Sequence, residues 1–276
     1  MTTAVLLAAT PAFAGGLFDD DDCKYTASRN GVTPAAGITR VVIHGEAGSL
    51  KVDGTPGATQ VGVTGTACTS DDDFLERMTL TMRRSGSELH IDADIPEKTI
   101  LFGFFSARLD FAVTLPPNVP VSIDDGSGWI KVTNTAATNI DDDSGSIEVR
   151  NVRGNLTIND DSGGIEVDTI AGNVVIEDDS GEISVKNVTG RVEIEDDSGS
   201  IEVARVDSLH IREDDSGSIS AHEVKRDVLI DYDGSGSVDV ADIGGNFTVH
   251  RKSSGRVDYV RVSGKVDVPE RARRRD

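Results

Sequence analysis

The tetrapeptide Asp-Asp-Ser-Gly occurs five times at a fixed step of 18 residues, starting at Asp142, Asp160, Asp178, Asp196 and Asp214. Degenerate copies flank the run: Asp124-Asp125-Gly126-Ser127-Gly128 before it, then Asp233-Gly234-Ser235-Gly236 and Ser253-Ser254-Gly255 after it. A fixed period of this length means that each unit is too thin to bury a face alone and must stack on its neighbours. Between corners the apolar residues alternate. Ile147 and Val149 are followed, after a change of parity, by Val152, then by a turn at Arg153-Gly154-Asn155 and by Leu156 and Ile158. The next coils repeat the pattern with Ile165, Val167, Ile170, Val174 and Ile176, and with Ile183, Val185, Val188, Val192 and Ile194. Period-two alternation of β-branched residues makes strands, and no period near 3.6 is present to make helices. The pattern predicts an all-β fold: a parallel β-helix, or β-solenoid, of about 18 residues per coil with two short strands in each.

Stacking such coils gives a thin aliphatic core between two parallel sheets. Aromatic residues are 4% of the chain, which suits a lumen too narrow for rings. Trp129 and Phe247 are expected at the ends or on the surface. Upstream, segments 39–44, 48–53, 59–64, 77–84, 88–92 and 107–115 read as strands separated by Gly- and Pro-containing turns. Residues 36–120 are expected to form irregular β coils that cap the open edge of the regular solenoid at 121–268, since an exposed parallel edge invites association. The apolar run Ile100-Leu101-Phe102-Gly103-Phe104-Phe105 is read as a loop folded over that edge, with a partner-binding patch as the alternative.

The termini suggest export. Residues 1–14 carry a short apolar run ending in Ala12-Phe13-Ala14, the pattern of a signal peptide cut after Ala14. An acidic leader follows at 15–35, and a basic tail closes the chain at 269–276. No stretch approaches the roughly 20 apolar residues of a membrane span. The expected location is periplasmic or secreted. Cys23 and Cys68 are the right number for one disulfide in an oxidising compartment, and no His motif accompanies them to make a zinc site.

Net charge is -21, and residues 121–250 hold 29 acidic groups against 9 basic ones. That excludes a general nucleic-acid binder, whose surface begins with cationic charge. Coils in register would align Asp142, Asp160, Asp178, Asp196 and Asp214 in one column and Asp143, Asp161, Asp179, Asp197 and Asp215 in a second. The bland expectation is a set of solvated corners, each Asp capping a local N–H. The sharper one is that divalent cations, calcium above all, sit between rungs, because clustered oxygens suit a hard ion. No cofactor is otherwise required. The five histidines, His44, His90, His210, His222 and His250, show no close metal spacing in sequence, although the last three could fall on related rungs. Enzyme readings fare poorly, since every carboxylate and every Ser is repeated and none is set apart to carry a shifted pKa.

The run Gly48-Ser49-Leu50-Lys51-Val52, the segment Val113-Thr114-Leu115-Pro116 and the coils Ser144-Gly145-Ser146-Ile147-Glu148-Val149 and Ser198-Gly199-Ser200-Ile201-Glu202-Val203 carry a resemblance. Over about residues 36–268 the chain resembles the bacterial DUF4097 family, β-helical domains that carry an adhesin label. The shared motifs specify the coil, so no catalytic residue is implied. The expected function is a non-enzymatic envelope-binding or adhesion-like solenoid with cation-binding Asp columns. A purely structural envelope protein is the alternative, and a polysaccharide-acting enzyme a more distant one. The outward column Glu148, Glu166, Ser184, Glu202, Ser220 and Asp239 suits a cationic or metal-bridged envelope or cell-surface partner. The solenoid ends could also pair copies of the chain.

Overall fold

Each coil places two runs of alternating residues on opposite walls, and the walls grow by parallel pairing of equivalent positions in successive coils. The computed structural model describes residues 23–97 and 105–269. Its N-terminal elements are β1 (Tyr25–Pro34), β2 (Arg40–His44), β3 (Ala47–Gly54), β4 (Gln60–Thr69), a one-turn helix α1 (Asp72–Leu75), β5 (Thr79–Ser85), β6 (Glu88–Asp94) and β7 (Ala107–Leu115). The regular coils follow with β8 (Val121–Asp125), β9 (Ser127–Thr133), β10 (Thr138–Asp142), β11 (Gly145–Val152), β12 (Leu156–Asp160) and β13 (Gly163–Ile170). Next comes β14 (Val174–Val224), an unbroken extended run wound through successive coils. The stack closes with β15 (Val228–Ser235), β16 (Val238–Ile243), β17 (Phe247–Lys252), β18 (Val257–Val262) and β19 (Val266–Asp267).

Register is set by the repeat. Ile140 lies between Ile123 and Ile158, and Ile165 lies between Ile147 and Ile183, all in parallel ladders. The expected inward residues Ile165, Val167, Ile176, Ile183, Val185 and Ile194 are at most 1% exposed, while Glu166 and Glu177 face solvent. This is the parallel β-solenoid that the periodicity predicts. Its second corner has a signature the alternation only hinted at. Asn151, Thr169, Asn187, Arg205 and Glu223 all have φ between 57° and 63° or close below, at 55° for Arg205. One left-handed residue per coil reverses the parity between Val149 and Val152. Asn suits that conformation, but Thr, Arg and Glu do not, so there the stack overrides local preference.

The N-terminal third is irregular, and it mixes parallel coils with antiparallel strands. β2 and β3 stack directly under β8 and β9, and β6 and β7 lie beyond them, all in parallel. Antiparallel strands then close the edge: β4 pairs with β7, β1 with β4, and β5 with β6. Turning the last strands antiparallel lets short connections cover an edge that a further parallel coil would only move outward. β1 occupies part of the stretch read as an acidic leader. Cys23 and Cys68 are bonded, joining the start of β1 to the end of β4 across 5.4 Å between Cα atoms. The signal peptide, the acidic run at 19–22, most of the apolar run at 100–105 and the basic tail from 270 lie outside the described residues. Within that apolar run Phe105 is described, and its ring meets Phe74 edge-on at 4.8 Å.

Rings are not excluded from the core. Phe111 and Phe247 are 2% and 0% exposed, each near one end of the stack. Phe247 is admitted because its column neighbours are the small Val228 and Val266. Trp129 stays half-buried on the wall with the Lys131 ammonium 5.6 Å from its ring centre.

Candidate functional site: a buried carboxylate column

The Asp-Asp-Ser-Gly corner gives each residue a separate task. The Gly must have no side chain: at Gly163, φ is 147° and a Cβ would lie 1.4 Å from the carbonyl oxygen of Gly145 in the coil below. The Ser pins its corner to the preceding coil, as Ser180 Oγ donates to Asp161 O at 3.3 Å and Ser198 Oγ to Asp179 O at 3.2 Å. The two aspartates part company. Asp143, Asp161, Asp179, Asp197 and Asp215 face solvent. Asp142, Asp160, Asp178, Asp196 and Asp214 are between 0% and 4% exposed. The expectation that both columns are solvated corners therefore fails for the first. Strand parity is the reason: Leu156 and Ile158 point inward, and Asp160, two residues further on, continues the same face.

The buried column is longer than the five clean repeats. Asp125 stands opposite Asp142, Asp142 opposite Asp160, Asp160 opposite Asp178, and Asp214 opposite Asp233. Asp178, Asp196 and Asp214 continue it inside β14. The column thus holds seven carboxyl groups, none more than 4% exposed. Its two ends differ. Beneath Asp125 lies Gly45, where a Cβ would come within 1.8 Å of Asp125 Oδ1. Above Asp233 the next residue in register is Lys252, itself 1% exposed. Lys252 Nζ donates to Asp233 Oδ2 and, at 3.2 Å, to Gly236 O.

Such a column is electrostatically costly if it is ionised and alone. Eleven of its carboxyl oxygens are buried without a hydrogen-bond partner. Asp196 does receive one full hydrogen bond, from Ser198 N to Oδ1 at 3.2 Å. Burial, and after it the neighbouring carboxyl of Asp142, pushes Asp125 up to about 7. Burial followed by Asp160 does the same for Asp142. Burial raises Asp178, Asp196 and Asp214 to about 7 and Asp160 to about 6, with the next carboxyl in the stack adding to the effect at Asp178, Asp196 and Asp214. The corner amides, Ser144 N–H beneath Asp142 for example, pull the other way but do not prevail. Sequence reading found no group set apart to carry a shifted pKa; the structure sets apart an entire column.

On the outer walls some of the carboxylates are met by cations. Glu148 accepts from Lys131 Nζ at 2.8 Å and Arg150 Nε at 2.6 Å, and Arg150 reaches Glu166 in the next coil at 2.7 Å. Burial pushes Glu148 up, yet those two cations outweigh it and hold its carboxyl below the ordinary range. The outward column runs in register as expected, Glu148 to Glu166 to Ser184 on one side of β14 and Ser220 to Asp239 on the other.

Histidines that sequence spacing kept apart are brought together by stacking. His44 sits opposite Asp92, and ligand atoms of His44, His90 and Asp92 all lie within 4.8 Å of one another. Asp124 approaches His44 Nδ1 at 3.5 Å, and Glu88 approaches His90 Nε2 at 3.7 Å. Two imidazoles and a carboxylate could hold a borderline metal such as zinc. His210 and His250 share Asp231, at 2.7 and 2.9 Å, and the hydrogen bond from His210 is the chief reason that carboxyl is held low. His222 lies on the other wall beside Glu223. Only residue pairing in space shows these groups, since His44 and Asp92 are far apart in the chain.

Walls of in-register strands, a closed antiparallel end and chemistry repeated coil by coil define a capped β-solenoid with an acidic interior column. The family model described as Toastrack DUF4097 matches residues 61–269, and the chain belongs to that family. No curated protein matches it. Among solved structures it is similar to a "putative lipid binding protein" from Parabacteroides distasonis, at 14% identity over 87% of this chain and 96% of that one, TM-score 0.48. A "putative adhesin" from Bacteroides fragilis aligns at 13% identity over 89% and 98%, TM-score 0.44. A "putative cell adhesion protein" from Clostridium sporogenes aligns at 12% over 88% and 98%, TM-score 0.33.

Proposed function

We propose that the protein is an exported, non-catalytic binding solenoid of the cell envelope, which attaches to an envelope or cell-surface component and takes divalent cations on its Asp columns. The observation that carries this reading is the regularity of its chemistry. Outward residues lie in long straight columns across adjacent strands, an extended strip suited to gripping another surface at many points. A reaction needs one group whose surroundings differ from those of its copies, and here the perturbed groups are themselves a repeat. Among the described residues no helix is long and apolar enough to cross a membrane, and the apolar start of the chain supplies the export signal. The wall's mixture of Glu, Asp and Arg favours a cationic partner, or an anionic one bridged by metal.

The test is co-sedimentation of the mature protein with isolated envelope fractions, in calcium and in EDTA. Saturable binding is expected, weakened by exchanging Glu148, Glu166 and Glu202 together for Gln. Cells making the full chain should yield an envelope or medium form that begins at Gly15. A chain that keeps Met1, stays in the cytoplasm and binds no fraction overturns the reading.

A further inference from the structure

Fully ionised, the interior column would carry more negative charge than the fold itself neutralises, and among the described residues the one place where a cation meets it shows what fits there. At the C-terminal end the residue in register with the column is Lys252, whose ammonium is fully enclosed and contacts the carboxylate of Asp233 and the carbonyl of Gly236. Both partners belong to the coil below. A positive group is therefore accommodated between rungs, held by a carboxylate and by the carbonyl of the corner Gly three residues after it. Every upstream coil repeats that pair: Asp142 with Gly145, Asp160 with Gly163, Asp178 with Gly181, Asp196 with Gly199 and Asp214 with Gly217. In those coils no Lys enters, and carboxyl oxygens that point into the column stay buried and without a partner.

The spacing suits one kind of ion. Successive rungs lie about 4.8 Å apart, so a group midway between two carboxylates is about 2.4 Å from each. Calcium–oxygen bonds are about 2.3–2.6 Å, calcium tolerates irregular coordination, and carboxylates can bind it through one or both oxygens. Magnesium needs shorter bonds of about 2.1 Å and keeps its waters, which a dry interior does not provide. Counting from the Lys252 end fixes the pairing. Lys252 takes Asp233 and leaves six carboxyl groups, which two-plus ions would neutralise in pairs: Asp214 with Asp196, Asp178 with Asp160, and Asp142 with Asp125.

We propose that the inner column is an internal file of three calcium sites, each ion held between the carboxylates of two successive coils, with Lys252 as the built-in counter-ion that closes the file. This rests on the cation reading above and narrows it: the ions bind the buried first Asp of each corner, and the exposed second Asp does not hold them. Burial accounts for why the sites hold ions against dilution, since an enclosed carboxylate has no water to fall back on. It also implies that ions enter as the coils close and exchange slowly afterwards.

The experiment is to refold the full mature chain in about 5 mM calcium chloride, remove free ions by gel filtration, and count bound metal by elemental analysis beside thermal melts. Three calcium ions per chain are expected, with a melting temperature at least about 3 °C above that in EDTA at matched ionic strength. Magnesium should give neither. Exchanging Asp160, Asp178 and Asp196 together for Asn keeps side-chain shape and should leave at most one strongly held ion and remove most of the thermal gain. The same exchange at Asp161, Asp179 and Asp197 should leave three ions and the full gain. If the inner variant does not refold, Asp178→Asn alone should bind two. Calcium lost from the outer variant and kept by the inner one overturns the inner file while the cation reading stands. A wild type that holds no calcium and melts identically in EDTA overturns both, and the column is then neutralised by protons.

Discussion

Within a single corner, Asp178 and Asp179 occupy different solvents. Asp178 is 4% exposed in a stack of like groups, and burial drives its carboxyl up to about 7. Asp179 faces water with room for counter-ions, where like charges about 4.8 Å apart repel by only about 1 kcal/mol. Its column shares the period, residue type and spacing of the inner one. The difference lies in parity alone, one step along an extended chain. In a solenoid the repeat therefore copies a local accident as many times as there are coils. A single inward Asp would be a defect, whereas an inward Asp in every coil makes a continuous polar seam through an aliphatic core. The outer wall differs: where its carboxylates meet cations they do so in exposed pairs, as at Arg150, and each pair is small in consequence.

The largest expected effect sits where the inner column meets Lys252, among the described residues its only side-chain cation. Lys252→Met removes the ammonium but keeps most of the stem, leaving the Asp233 carboxylate enclosed and unpaired. Breaking a buried pair on one side costs about 3–5 kcal/mol, so urea unfolding at pH 7.5 should show a loss of that order. Lys186, whose ammonium pairs with Glu202 on the outer wall at 3.2 Å, is the matched control. Lys186→Met should cost less than about 1 kcal/mol. Equal costs for the two variants would erase the distinction between the columns.

Much of this was legible in advance, and the failures have identifiable causes. Alternation at Ile165, Val167 and Ile176 dictated strands and faces, and the 18-residue step dictated parallel stacking. The same alternation, carried two residues past Ile158, already put Asp160 inside. The rule that Asp belongs on turns argued against following it there, and the stack overruled that rule. β1 was missed because Tyr25–Pro34 has every second side chain exposed and none fully buried, so its sequence carries little apolar alternation. Residues such as Arg205 and Glu223 in a left-handed corner gave no local signal, because their conformation is imposed by the coils on either side. The His44, His90 and Asp92 cluster depends on β2 lying beside β6, a crossover that no local pattern encodes. Lys252 was visible as a residue in the degenerate last copies, but its role required knowing that its register partner is Asp233.

A second test separates the columns by pH, in EDTA so that protons are the only neutralising ions. The folded-state carboxyls of Asp142, Asp178, Asp196 and Asp214 stand at about 7, above the roughly 3.9 of an unfolded Asp. The folded protein thus binds more protons than the unfolded chain between these values, and stability falls as pH rises through that window. The contribution is fully present below the unfolded value and lost above about pH 7, the reverse of ordinary acid denaturation. Melting temperature should therefore drop from pH 5.5 to pH 8. The inner Asn variant should flatten that slope, and the outer one, Asp161, Asp179 and Asp197 to Asn, should keep it. A wild type that is more stable at pH 8 than at pH 5.5 in EDTA would mean the inner carboxyls are not enclosed.

The smallest effect belongs to the outer wall and tests its independence from the interior. Arg150 bridges two coils, bonding Glu148 at 2.6 Å and Glu166 at 2.7 Å, with Asp168 at 3.9 Å. Three carboxylates around one guanidinium look like a strong staple. The Arg150 side chain is however 40% exposed and that of Glu166 55%, so solvent screens the pair and the long side chain loses rotamer freedom in making it. Arg150→Ala should then cost less than about 1 kcal/mol in low salt, and the cost should shrink further in 0.5 M sodium chloride, where the screening length falls to a few ångströms. The pH slope in EDTA should be unchanged, because Arg150 projects from the wall opposite the core and touches no member of the inner column. A cost of several kcal/mol that persists in salt would show that the walls, and not the seam between them, carry the electrostatic stability of the solenoid.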